Sequence, residues 1–261
     1  MNYIGIDIGS SGCKAIVVDE NGHQLTFSQL DYEVKHSRDG AATLDSEEVI
    51  NKCFDVMKEC GARVKSNSVR GIGISSQGEA FTALGEGGET LNNAMVSSDV
   101  RSDAFVQEWV RDFGEERLYQ ITGHTPHPMF TLFKLLWFKN SNVEAWKKTR
   151  SYLCYEDLLQ YRLGIKPSIS WSLAGRTMMF DVRAHAWNQD ILESVGICRD
   201  QLAVPVPAGT RAGTISSEAA ARLGLSTDVF VVTGGHDQTC SALGAGVVEQ
   251  GKAMLATGTV E

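Results

Sequence analysis

The chain has 261 residues, of which 43% are hydrophobic, and its formal net charge is -8. This length and hydrophobic content allow one large domain or two small ones with a substantial core, and they argue against disorder. The negative charge argues against a nucleic-acid partner, because a phosphate backbone selects basic surfaces.

The cysteines and the N-terminus indicate the compartment. The six cysteines are scattered and contain no C-x-x-C pair: Cys13, Cys53, Cys60, Cys154, Cys198 and Cys240. This disfavours a zinc or iron–sulfur site and fits the reduced thiols of a cytosol. Because no basic segment leads into an apolar run at the start, and no apolar run reaches 18 residues, we expect a soluble, cytoplasmic protein without a membrane partner.

The first predicted element is an apolar strand over residues 3–8 that carries an acid near its end, Asp7. A turn of glycine and hydroxyl residues and a lysine follow it: Gly9, Ser10, Ser11 and Lys14. Successive N–H groups in such a turn can form a concave anion site. Since a carboxylate repels phosphate, Asp7 suggests a bridging Mg²⁺. The pattern predicts a site for Mg²⁺ and a nucleoside triphosphate, with an ordinary hairpin turn as the alternative.

The next two predicted strands complete an antiparallel meander. Residues 13–18 read as the second strand and residues 23–32 as the third. Asn21 and Gly22 between them form the strongest short hairpin signal. A helix capped by Asp45 and an apolar, glycine-rich strand over residues 69–74 follow, so we expect a mixed α/β sheet with this fourth strand in its centre.

Two polar clusters follow apolar runs. Gln77 and Glu79 come directly after the fourth strand, and Asp99 and Arg101 come after the next short strand. Ligands of α/β sheets bind beyond the carboxyl ends of the strands, and these side chains are suited to hydrogen-bonding hydroxyls. A solvated loop is the alternative for the first cluster.

The middle of the chain is mainly helical. The apolar periodicity predicts a helix over residues 102–113 and a second helical piece that ends at residue 123. It also predicts helices over residues 129–138, 155–163, 187–195 and 217–223. Residues 129–138 are apolar nearly all round, so Lys134 within them must snorkel or find a partner. Residues 168–183 are predicted to form an irregular loop or short hairpin, and residues 209–215 a short strand.

A buried strand over residues 230–233 leads to His236 and Asp237 and then to a helix of small residues. An acid at a helix start gains from the helix dipole, so Asp237 is either a plain N-cap or a functional carboxylate. His236 is a second candidate base or a structural histidine. One more strand is predicted over residues 253–256, followed by a second glycine–hydroxyl turn: Thr257, Gly258 and Thr259.

Four motifs in this order resemble the FGGY carbohydrate kinases, within the actin, hexokinase and Hsp70 superfamily. They are D-x-G-S-S-x-x-K at 7–14, M-x-T-x-x-K-L-x-W-F-x-N at 129–140, G-H-D-Q at 235–238 and A-T-G-T at 256–259. The resemblance implies an RNase H-like (actin-like ATPase) fold with a mixed five-stranded sheet flanked by helices. It also implies an N-terminal sugar-binding domain over 1–246 and the start of a truncated ATP-binding domain over 247–261.

The resemblance further implies transfer of the γ-phosphoryl group of ATP to a hydroxyl of a sugar or polyol, with Mg²⁺. Asp237 would be the general base, and Asp7 would hold the metal through water. The residues facing the phosphates would be Gly9, Ser10, Ser11 and Lys14, opposed by a second loop of Thr257, Gly258 and Thr259. The residues facing the sugar would be Gln77, Glu79, Asp99, Arg101 and Asp237.

Two of the chain's departures from the family pattern lie at Gly78 and Ser170. Glycerol kinases carry an arginine where this sequence has Gly78, so we expect a substrate larger than glycerol, such as the pentulose xylulose. Many members carry an aspartate where this sequence has Ser170. The alternatives to a kinase are an actin-like ATPase activator or sensor and a pseudokinase regulatory module. We expect these 261 residues to be an N-terminal fragment without sustained activity. The oligomeric state is left open, with a homodimer as one alternative.

Overall fold

The computed structural model describes residues 1–65 and 68–256. The strands within these residues are β1 (Asn2–Ile8), β2 (Gly12–Asp19), β3 (Gln24–Asp31), β4 (Lys35–His36), β5 (Ala42–Leu44), β6 (Val69–Ser76), β7 (Thr82–Leu84), β8 (Ala94–Met95), β9 (Ser151–Leu153), β10 (Ser168–Ser170), β11 (Phe180–Asp181), β12 (Ala186–Trp187), β13 (Val204–Val206), β14 (Arg211–Thr214) and β15 (Phe230–His236). The helices are α1 (Ser46–Ala62), α2 (Asp103–Phe113), α3 (Glu115–Thr122), α4 (Thr131–Ser141), α5 (Val143–Lys148), α6 (Tyr155–Arg162), α7 (Trp171–Gly175), α8 (Gln189–Val195), α9 (Ser217–Leu223) and α10 (Asp237–Gly244), with a 3₁₀ turn at Arg199–Gln201.

The main sheet has six strands in the order β14-β15-β6-β1-β2-β3. The first three strands form the predicted antiparallel meander, and β6 lies in the centre, parallel to both β1 and β15. The sheet therefore has one strand more than the five expected. The extra strand is β14, which pairs antiparallel with β15 at the edge.

Alternating apolar residues bind the sheet to its helices. Ile4, Ile6 and Ile8 of β1 are each at most 1% exposed. Helix α1 packs across the meander, and α6 packs against β6 and β15. Helix α1 begins where the sequence predicts, because the carboxylate of Asp45 accepts from the first free N–H groups of the helix. No helix in the described ranges is long and apolar enough to cross a membrane.

Two sequence-based predictions are wrong. Residues 168–183 contain the short helix α7 between two short strands. The sequence does not predict this helix, because it has only five residues and no side-chain cap. The strand predicted over residues 253–256 is not formed, since the backbone there is irregular and Leu255 is 82% exposed.

Three parallel strands end at one edge of the sheet and position the site. Ile8 at the end of β1 and His236 at the end of β15 both lie opposite Ser76 of β6. The register of β15 shifts next to Gly234, where a Cβ atom would lie 2.1 Å from the carbonyl oxygen of Ile74. This bulge requires glycine, and it redirects the chain into α10.

Candidate active site

The turn after β1 is fixed by hydrogen bonds from three directions. The N–H of Gly9 donates to the carbonyl of Gly12 at 3.0 Å. The carbonyl of Gly9 accepts from the hydroxyl of Tyr32 at 2.7 Å and from Nε2 of Gln77 at 2.8 Å. Gly9 therefore uses its own N–H within the turn, which leaves the exposed Ser10 and Ser11 as the hydroxyl-bearing residues that face outward. The amide nitrogen of Gln77, predicted to contact sugar, holds this turn.

Asp7 lies between the neighbouring strands that flank β1. Its Oδ1 accepts from the hydroxyl of Ser75 at 2.8 Å, and its Oδ2 lies 3.2 Å from Nζ of Lys14. The sheet registers set both contacts, because Asp7 lies opposite Lys14 on β2 and opposite Ser75 on β6. Among the described residues no cluster of three metal-binding side chains exists. One partly exposed carboxylate still fits Mg²⁺, which usually takes its other ligands from phosphate and water.

Glu79 follows β6 in a backbone conformation that is uncommon for a residue with a side chain, with φ of 64°. Its carbonyl accepts from the hydroxyl of Thr131 at 2.9 Å and lies 3.4 Å from Nζ of Lys134. Its carboxylate forms an ion pair with the guanidinium of Arg176. These contacts hold Glu79 at the edge where the strands end, which is the position predicted from the sequence.

Lys134 is the buried lysine of the second family motif, and it finds carbonyl partners. Its Nζ donates to the carbonyl of Met95 at 3.0 Å and reaches that of Glu79. Burial lowers the pKa of Lys134 to about 8, and the nearby carboxylates of Glu79 and Asp99 oppose this in part. Lys134 therefore helps to position the loop at Glu79 through the carbonyl of that residue.

His236 and Asp237 stand at the junction of β15 and α10. The N–H of His236 donates to the hydroxyl of Ser172 at 3.0 Å, and its Nε2 lies 3.4 Å from Oδ1 of Asp237. Burial lowers the pKa of His236, although the carboxylates of Asp237 and Glu79 act in the opposite direction. The side chain of Asp237 is 29% exposed, so its carboxylate is accessible from the edge.

Glu156 supports the same strand end from inside the protein. It is fully buried on α6, and its two carboxylate oxygens accept from the N–H of Ser170 at 2.7 Å and from the N–H of Gly234 at 2.8 Å. Burial raises the pKa of Glu156 to about 7, and the N–H donors only partly offset this. Glu156 therefore ties β10 and the bulge of β15 to α6.

Asp99 and Arg101 form a pair of their own. The carboxylate of Asp99 is completely buried, and it accepts from the N–H of Ala42 at 3.0 Å and from Nη2 of Arg101 at 2.7 Å. The guanidinium of Arg101 lies over the ring of Trp137 at 4.0 Å. Arg101 and Trp137 line a cavity of about 200 Å³ that includes neither Glu79 nor Asp237. The structure thus brings Asp7, Glu79 and Asp237 to one edge and leaves this pair to one side.

A groove of about 380 Å³ runs along the open face of the sheet near this edge. Its lining includes Asp7, Lys14, Ser75, Gly234 and Ser241. It therefore connects Asp7 and Lys14, which flank the first turn, with the helix that begins at Asp237.

Sequence reasoning missed three residues of the site: Ser172, Glu156 and Arg176. The first two act through backbone N–H groups of β15, and Arg176 acts through a partner 97 positions away. Gly78 was the available signal for Arg176, because the absence of a side chain at position 78 leaves space that the side chain of a distant residue can fill. The predicted second phosphate loop, Thr257 to Thr259, lies outside the described residues.

Comparisons with known proteins show what the chain is similar to. The profile described as "FGGY family of carbohydrate kinases, N-terminal domain" matches residues 2–244. The chain is 29% identical over 262 residues to a xylulose kinase of Bacillus subtilis (strain 168), covering 99% of this chain and 52% of the relative. It is 25% identical over 256 residues to a gluconokinase of the same organism, covering 98% of this chain and 50% of the relative.

The solved structure of xylulose kinase from Rhodospirillum rubrum has a TM-score of 0.90 at 22% sequence identity, covering 96% of this chain and 52% of that one. This likeness confirms the predicted α/β, RNase H-like (actin-like ATPase) fold class. The chain spans about half the length of the curated relatives it matches.

Proposed function

We propose, because this chain belongs to the FGGY family of carbohydrate kinases, that the protein containing it transfers a phosphoryl group from ATP to a hydroxyl of a sugar or polyol. The observation that carries this proposal is the accessible carboxylate of Asp237, beside His236 at an edge where three parallel strands end. Phosphoryl transfer depends mainly on positioning and electrostatic stabilisation, and a carboxylate that orients the nucleophile is its usual requirement.

Asp237 acts as the general base in this proposal. Its Oδ1 accepts from the N–H of Gln238 at 2.7 Å, which holds the carboxylate in place. The attacking hydroxyl gives its proton to this carboxylate as the phosphoryl group arrives. Burial lowers the pKa of His236, and this residue serves as a neighbour that orients Asp237.

The turn after β1 serves the phosphates. Ser10, Ser11 and Lys14 supply donors and positive charge, while the Gly9 carbonyl fixes the turn. Asp7 would hold Mg²⁺, which would neutralise charge on the phosphates. The opposing phosphate loop stays a prediction for Thr257, Gly258 and Thr259, which lie outside the described residues. Residues 1–246 are the sugar-binding domain, and residues 247–261 begin the ATP-binding domain.

The proposed substrate is a pentulose such as xylulose, because xylulose kinases are prominent among the relatives. Gln77, Glu79, Asp99 and Arg101 surround it in the sequence-based prediction, although the contacts of Glu79 and Asp237 support those two most directly. A cytoplasmic location and a homodimer stay predictions.

The test is an ADP-release assay on the longest natural reading frame that contains these residues. Pentuloses, glycerol and gluconate are supplied with ATP and with or without Mg²⁺. We expect turnover that needs both a neutral sugar and Mg²⁺, and no sustained turnover from residues 1–261 alone. Absence of turnover with every sugar would overturn the kinase proposal, and steady turnover by the 261 residues would overturn the proposal that they are only its sugar-binding part.

A further inference from the structure

Arg176 reaches the active-site edge from the end of α7. Its guanidinium forms an ion pair with Glu79 and lies over the ring of Phe130 at 5.0 Å. Nη2 also lies 3.9 Å from the sulfur of Met129. Because the side chain is 23% exposed, these contacts fix the guanidinium plane without closing it from solvent.

The side chain of Arg176 fills the space above Gly78. A Cβ atom at position 78 would lie 3.0 Å from Cβ and Cγ of Arg176 and 3.1 Å from Cδ2 of His236. Arg176 and His236 therefore meet over this glycine, and His236 in turn lies against Asp237. The space next to the Cα atom of Gly78 is therefore taken by Arg176 and His236, and the expectation of a larger substrate stays a prediction.

The hydrogen-bonding capacity of the Glu79–Arg176 pair is only half used. Nε and Nη2 of Arg176 face Oε1 of Glu79. No described residue accepts a hydrogen bond from Nη1 of Arg176 or donates one to Oε2 of Glu79. The pair thus keeps N–H donors on Nη1 and an acceptor at Oε2 that no described residue uses, and Arg176 lies beside His236, the neighbour of Asp237.

We propose that Arg176 is a substrate-binding residue that, with Glu79, recognises two neighbouring hydroxyls of a neutral sugar beside the hydroxyl to be phosphorylated. This inference rests on the proposed function. Each sugar hydroxyl can both donate and accept, so one takes a hydrogen bond from Nη1 and its neighbour gives one to Oε2. The two opposite charges cancel, so the pair gives a carboxylate-bearing substrate no net attraction.

The competing explanation is a structural ion pair that only ties α7 to the Glu79 loop. Arg117 provides a matched control for that role. It also pairs with an acid, Asp190, and lies over a phenylalanine ring, Phe113, at 4.5 Å. Its surroundings are exposed, and none of its contacts involves a residue of the active-site edge.

The experiment measures sugar binding without ATP, by calorimetry on the longest natural reading frame. The probes are D-xylulose, D-ribulose, glycerol and D-gluconate, together with deoxy analogues of the tightest neutral sugar. In Arg176→Ala we expect the Kd of that sugar to rise about 10- to 100-fold, the range for lost charged hydrogen bonds, with Arg176→Lys intermediate. Arg117→Ala should stay within about 2-fold of the wild type.

The deoxy analogues separate contact from support. An analogue that lacks a hydroxyl facing the pair should bind the wild type and Arg176→Ala with equal Kd. The KM for ATP of Arg176→Ala should equal that of the wild type. Equal losses for every sugar and analogue, a Kd in Arg176→Ala like that in Arg117→Ala, or tight binding of gluconate alone would overturn the inference. Circular dichroism checks folding, and Arg176→Lys keeps the test valid if the alanine variant unfolds. If sugars bind as expected but no turnover follows, the proposed function fails while the sugar-binding role of Arg176 stands.

Discussion

Two acids lie at the end of β15, and they differ in burial and in the partners of their carboxylates. Asp237 opens α10, is partly exposed and lies against a histidine side chain. Glu156 is fully buried, and its described partners are the backbone N–H groups of Ser170 and Gly234. Gly234 and Asp237 are only three positions apart in the chain.

The difference separates shape from chemistry. A buried carboxylate that accepts two backbone N–H groups cannot reach a substrate, but it fixes where the strand turns. An accessible carboxylate at a helix start can accept a proton from outside. Glu156 and Gly234 therefore fix the strand end, and Asp237 stays accessible beside it.

The largest expected effect comes from removing the accessible acid. Asp237→Asn keeps the size of the side chain but loses the base, so we expect kcat to fall about 10³-fold in the complete protein, within the range for a general base. Steady-state kinetics measure this, with circular dichroism as a check of folding. Asp228→Asn is the control, because Asp228 is an exposed aspartate that pairs with Arg70. A fall of less than about 10-fold would show that another group is the base.

The bulge that aims Asp237 gives the next largest effect. In Gly234→Ala the new Cβ would meet the carbonyl of Ile74 at 2.1 Å, so backbone must move. We expect the free energy of unfolding to fall by about 3 kcal/mol or more, measured by urea denaturation. Gly73→Ala on β6 is the matched control, because its Cβ would lie 3.7 Å from the nearest atom, on Val232, and should change stability by less than about 1 kcal/mol. Equal effects of the two substitutions would contradict the importance of the bulge.

The buried acid should be visible in the pH dependence of stability. The pKa of Glu156 is raised from 4.5 to about 7 in the folded state, so the folded protein binds more protons than the unfolded chain between these values. The contribution of this group to the free energy of unfolding is therefore fully present below pH 4.5 and is lost as the pH rises through 7, a change on the order of 3 kcal/mol.

Glu156→Gln tests that dependence. The free energy of unfolding of the variant, relative to that of the wild type, should be higher at pH 8 than at pH 5. Urea denaturation at both pH values measures this difference. Glu116→Gln, which replaces an exposed surface glutamate that pairs with Gln120, should leave the difference between the two pH values unchanged. A parallel pH profile for Glu156→Gln and the wild type would show that Glu156 does not titrate in this range.

A third acid, Asp7, allows the smallest test. Its partner Lys14 is 55% exposed, so solvent weakens their ion pair and its loss should hardly change stability. Lys14→Met should instead raise KM for ATP about 5- to 10-fold in kinetic assays, because one charged donor to phosphate is lost. Lys35→Met removes another exposed lysine beside an aspartate and is the control. An unchanged KM for ATP would remove Lys14 from the phosphate site.

The sequence predicts local order well and long-range contacts poorly. Periodicity and caps locate α1, α9 and the meander, because these depend on neighbouring residues. The spacing after each strand also brings Asp7, Glu79 and Asp237 to one edge. Arg176 and Glu156 could not be found this way, since their partners lie 97 and 78 positions away and no local pattern encodes such pairs. Helix α7 is short enough that packing rather than propensity decides it.

The carbonyl of Gly9 links two parts of the site mechanically. Gln77 holds it through Nε2, and Gln77 is also the residue two positions before Glu79. One amide side chain therefore joins the backbone at 77–79 to the turn after β1, and the hydroxyl of Tyr32 holds the same carbonyl. We expect a change in the backbone at either of these two places to be felt at the other.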